Sequence, residues 1–121
     1  MLISKSDGDI ILDTAQEAEE LIRKCSEKGT EEIWISKDAP FPALVLLICE
    51  EYACVHYFAD EDGVMYISKG CGDRRITFTV GGTEWEAPED TVISLDDALR
   101  CMHSFCKNTK LPECIAWQDG V

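Results

Sequence analysis

The residues of this chain whose types could support metal or thiol chemistry are seven cysteines and two histidines. Their closest spacings are Cys49 with Cys54, Cys54 with His56, Cys101 with His103, and Cys101 with Cys106. A structural zinc site draws on closely spaced pairs such as Cys-x-x-Cys, and none of these is one. On a helix, Cys101 and Cys106 stand about 140° apart around the axis rather than stacked. Cys54 and His56 fall on one face of a strand, where a metal could join them to groups from elsewhere. A nucleophilic thiol needs a base or a helix amino terminus to acidify it, together with donors for the oxyanion. Cys54 with His56, or Cys101 with His103, supplies the residue types without the glycine-rich turn or the third orienting group. Residues two apart on a helix also point away from each other. The expectation is buried thiols and a satisfied histidine, with no metal, no cofactor and no catalytic residue.

Carboxylates are the other abundant reactive type. Glu31 with Glu32, Glu50 with Glu51, Asp60 to Asp62, Glu89 with Asp90, and Asp96 with Asp97 stand mostly where turns and helix starts are expected, so their pairing says little about acid-base work. Gly70 to Arg75 carries glycine and arginine but lacks the lysine and following helix of a phosphate loop, and reads as a flexible connection. In Glu84-Trp85-Glu86, alternation places both acids on one face and the tryptophan on the other, with Trp85 expected in the core and a partner-docking tryptophan face as the alternative. Asp60, Glu61, Asp62, Glu84, Glu86, Glu89 and Asp90 together form a candidate partner-binding rim, read from charge and expected exposure.

Twenty-four acids against eleven bases give a net charge of −13, which repels nucleic acid phosphates and anionic membranes. The same field can steer a basic protein partner. An odd number of irregularly spaced cysteines argues against a disulfide framework and for a reducing compartment. The first residues lack the apolar run of a signal peptide, and the apolar run from Ala43 to Cys49 falls far short of the ~20 residues a membrane helix needs. A single cytoplasmic domain over residues 1–121 is expected.

The elements that must position these residues follow from periodicity. Residues 8–13 read as a short strand, and Thr14 with Glu17 as a capping box opening a helix whose stripe is Ala15, Ala18, Leu21, Ile22 and Cys25, stopped at Gly29. From Glu31 to Ala87 the period is two. Ala43 to Glu50 is apolar on both sides and should be a central strand, in a hairpin with Ala53 to Ala59. Asp60 to Gly63 turns into a strand over residues 64–69, and Gly81 with Gly82 joins Ile76–Val80 to Thr83–Ala87. Ser94 with Asp97 opens a second helix carrying Leu95, Ala98, Leu99, Met102, Phe105 and Cys106 on one face, before a closing strand from Glu113 to Trp117. The fold class is α+β, a mainly antiparallel sheet of about six to eight strands with two helices packed on it.

The order of these pieces resembles immunity protein family one, a group of bacterial immunity proteins. The residues that carry the resemblance are Asp7 to Ile10, Phe41 to Leu44, Val55 to Phe58, Ser68 to Gly70, Leu95 to Ala98, Phe105, and Leu111 with Pro112 through Trp117. The resemblance implies the same α+β fold and a non-catalytic inhibitor of a cognate toxin in a polymorphic or contact-dependent toxin system. The implied toxin acts on nucleic acid, with a cytidine-deaminase-like domain favoured. A small thiol- or metal-dependent enzyme and a general acidic interaction module are the alternatives.

Overall fold

Alternation of apolar residues from Thr30 onward produces three long neighbouring strands: β3 (Thr30–Ser36), β4 (Ala43–Cys49) and β5 (Tyr52–Phe58). The computed structural model describes residues 1–72 and 74–119. Ahead of the central strands come β1 (Leu2–Lys5), β2 (Gly8–Ile11) and α1 (Ala15–Glu27). After them come β6 (Met65–Lys69), β7 (Thr77–Val80), β8 (Thr83–Glu86), β9 (Ile93–Ser94), α2 (Leu95–Asn108) and β10 (Ala116–Asp119), with a 3-10 turn at Glu89–Thr91. The main sheet has eight strands in the order β10-β6-β5-β4-β3-β1-β2, with β9 added to β5. Its pairings are antiparallel.

Both helices cover one face of this sheet. Ala18, Ile22 and Cys25 of α1 and Leu99, Met102 and Phe105 of α2 pack with Ile33, Ile35, Leu44, Leu46, Ile48, Val55 and Tyr57. The caps form as their residue types require. The Thr14 side chain accepts from Glu17 N at 3.1 Å while Glu17 reaches back to Thr14 N, and Ser94 Oγ accepts from Asp97 N at 3.1 Å.

The opposite face is covered by β7 and β8, which form a separate two-stranded ribbon. Gly81 and Gly82, at φ 58° and 81°, supply the left-handed backbone that its tight turn needs. Phe78 is fully buried against Val45, Leu47 and Cys54, and Trp85 packs half-buried beside it. Glu32 on β3 accepts from Gly81 N at 3.0 Å and fastens the ribbon's tip. This second layer explains why β4 is apolar on both sides.

Several boundaries differ from the sequence expectation by a residue or more. β2 ends at Ile11, and an additional strand, β1, precedes it. The closing strand runs over Ala116–Asp119 rather than residues 113–117, because Trp117 Nε1 donates to Pro112 O at 2.6 Å and folds the preceding segment back. The strand expected from Val64 begins at Met65. Asp73, within the glycine-arginine connection, lies outside the described residues.

Candidate functional site

The thiols and histidines are distributed by the fold rather than gathered. Cys54 and His56 both face the ribbon from β5, ~7 Å apart along the strand. Cys54 is fully buried, and burial pushes its thiol up to about 11, away from thiolate chemistry at neutral pH. His56 is not the satisfied histidine expected: Nε2 is buried with no hydrogen-bond partner among the described residues. Its neighbours are the rings of Trp85 at 5.8 Å and Phe58 at 6.3 Å, which offer edges and faces but no acceptor. Burial lowers the imidazole to about 4, so it is neutral at physiological pH.

On α2 the second candidate pair is split. His103 Nε2 meets Glu19 on α1 at 2.7 Å, a bond that holds the Glu19 carboxyl below its usual range and ties the helices together. Cys101 turns instead to Cys114, with Sγ atoms 3.6 Å apart, and burial pushes the Cys101 thiol up. Cys106 lies against Met1 and Met102. Among the described residues no three His, Cys, Asp or Glu side chains are grouped to hold a metal.

The seven rim acids fall into two groups. Asp60, Glu61 and Asp62 form the turn between β5 and β6, where Asp60 Oδ1 accepts from Asp62 N at 2.9 Å. Glu84 and Glu86 are exposed on β8, and Glu89 and Asp90 lie in the 3-10 turn beyond it. Asp90 O accepts from Gly70 N, just past the far end of β6 from the Asp60–Asp62 turn. The length of β6 therefore sets Asp90 ~17 Å from the Asp60–Asp62 turn, while Glu84 lies on the ribbon beside His56 and Trp85. Arg75 bonds Glu89 at 2.6 Å and Glu86 at 3.5 Å, partly neutralising the second group.

Ser68 to Gly70 has a structural task. Ser68 is fully buried; its Oγ accepts from Val55 N at 3.0 Å and donates to Thr91 O at 2.7 Å, joining β5, β6 and the 3-10 turn. Gly70 packs so closely beneath Val92 that a Cβ would overlap the Val92 carbonyl oxygen.

Sequence reasoning did not single out an apolar groove at the end of the sheet where β3 passes into β4, with a volume of about 470 Å³ and lined by Leu2, Trp34 and Phe41 among others. The available signal was the pairing of apolar neighbours, Leu2 with Ile3 and Ile10 with Ile11, on two short strands. Such pairs leave one apolar side chain outside the helix-covered core.

A family model described as Immunity protein Imm1 matches residues 6–119, nearly the whole chain. The chain belongs to the Imm1 immunity protein family. The Imm1 match takes in both helices, the ribbon, the Ser68–Gly70 staple and the closing strand. No curated protein matches the chain. Membership assigns an immunity role, which is to bind a cognate toxin protein. Among the described residues no helix is long and apolar enough to cross a membrane.

Proposed function

We propose that this Imm1 protein neutralises a nucleic-acid-targeting toxin in the cytosol of the cell that makes it, by occluding the toxin's substrate cleft and without catalysis of its own. A cytidine-deaminase-like domain is the toxin class favoured. The observation that carries the reading is a family-assigned binder with a net charge of −13. A cleft built for phosphates is basic, and an acidic protein is drawn into it by the same field that would attract nucleic acid. Asp60, Glu61, Asp62, Glu84, Glu86, Glu89 and Asp90 are the acids proposed to make this approach.

The test pairs the purified protein with the toxin domain encoded beside its gene. Stoichiometric inhibition of cytidine deamination on a nucleic acid substrate is the expected result. Lysine substitutions at Asp60, Glu61 and Asp62, and separately at Glu84, Glu86, Glu89 and Asp90, should weaken binding and flatten its dependence on salt. Unchanged affinity and salt dependence in both sets would defeat the electrostatic mechanism. Binding without rescue of poisoned cells would favour a general interaction module.

A further inference from the structure

The ribbon covers the sheet face over β3 and β4, reaches His56 on β5, and stops short of the outer strands. Leu2 and Ile11 pair across β1 and β2 on this same face, because their neighbours Ile3 and Ile10 also pair and Ile3 points into the helix-side core. Leu2 is 36% exposed and Ile11 76% exposed, although both are large and apolar. The groove through Leu2, Trp34 and Phe41 continues this bare strip inward, and Trp34 is held at its floor by stacking on Phe58 at 5.1 Å. An apolar strip of this kind, on an otherwise strongly charged surface, marks an interaction site.

Register places acids beside it. Ala43 pairs with Phe58, so the β3–β4 connection and the β5–β6 turn leave the sheet at one end. Leu2 pairs with Ser36 and Ile11 with Leu2, which brings both to that end as well. Asp38, Asp60, Glu61 and Asp62 therefore fringe the groove, and among the described residues none has an ion-pair partner. Lys37 also lines the groove, but its ammonium is turned to Cys106 O at the end of α2, leaving the acids in the majority. The result is an apolar centre with an acidic fringe, the anatomy of a protein interface core and rim.

We infer that this end of the sheet is where the toxin docks, and that the toxin presents there an apolar side chain flanked by lysines or arginines. The inference rests on the immunity reading and deepens it by naming the surface. Charge decides between occupants: a second copy would bring −13 against −13, whereas a basic protein is attracted to the fringe. Of the seven rim acids, Asp60, Glu61 and Asp62 adjoin this end of the sheet, while Glu84, Glu86, Glu89 and Asp90, on the ribbon and the 3-10 turn, contribute through the long-range field.

Titration calorimetry with the toxin domain encoded beside the gene tests this directly. Ile11→Arg places a cation on the strip at a side chain that contributes little to the core, and Asp38→Lys reverses the fringe. Thr83→Arg adds a cation on the exposed ribbon as the control. The first two should each weaken binding about tenfold or more, the scale of an interface hot spot, while Thr83→Arg stays within about twofold and all three keep the wild-type Tm. Wild-type affinity in Ile11→Arg and Asp38→Lys, or equal weakening by Thr83→Arg, would overturn the docking surface while leaving the immunity reading intact. Failure of the wild type to bind the toxin would remove that reading and the surface with it. A dimer of the free protein that Ile11→Arg dissociates would assign the strip to a second copy instead.

Discussion

His56 is the residue at which burial and chemistry are most in conflict. Its ring lies between Trp85 and Phe58, Nε2 has no partner among the described residues, and Glu32 supplies only weak compensation against desolvation. The folded-state value of about 4 lies below the ordinary 6.5, so the unfolded chain takes up the proton first as pH falls. The stabilisation from neutral His56 is complete above 6.5 and is lost progressively as pH drops through about 4, a total of about 3 kcal/mol. Wild type minus His56→Phe, compared by denaturant unfolding across that window, should show this slope. An imidazole titrating near 6.5 by NMR would contradict the packing. Ser68 makes a second residue-level claim: Ser68→Ala leaves Val55 N and Thr91 O unpaired in the interior and should cost about 1–3 kcal/mol in denaturant unfolding. The sequence showed that Cys54 and His56 share a face, because strand alternation is local. It did not show that the histidine lacks an acceptor, because Trp85, which covers the ring, comes from a ribbon nearly 30 residues further along the chain.

At the scale of elements, signals confined to a few residues were the legible ones. The Thr14–Glu17 box, the Ser94 cap, the Gly81–Gly82 turn and the central position of β4 all form as their local chemistry dictates. The layering of β7 and β8 was not legible. A hairpin that buries Phe78, half-buries Trp85 and exposes Glu84 and Glu86 shows the same alternation whether it joins the main sheet or lies across it. The acids of the rim were legible as charge, and their division between the β5–β6 turn, the ribbon and the 3-10 turn was not, since it depends on how the chain folds back across the sheet. Phe78 tests the layer itself. Phe78→Ala opens a cavity between ribbon and sheet and should cost ~3–5 kcal/mol, with β7 and β8 amides losing hydrogen-exchange protection before those of β4. Uniform loss of protection across both sheets would show the ribbon to be an integral part of the main cooperative unit.

The whole molecule combines a well-filled core on both sides of one sheet with a surface of strong negative charge. Its buried thiols and histidine pack within that core, and its membership of the Imm1 family assigns it an immunity role. The acidic field favours association with a basic toxin and should make that association weaken as salt rises. Co-expression with the toxin domain encoded beside the gene, scored by cell survival and by recovery of a complex on size exclusion, tests the central claim most directly. Survival together with a stable complex is the predicted result; continued killing with no complex would contradict the account.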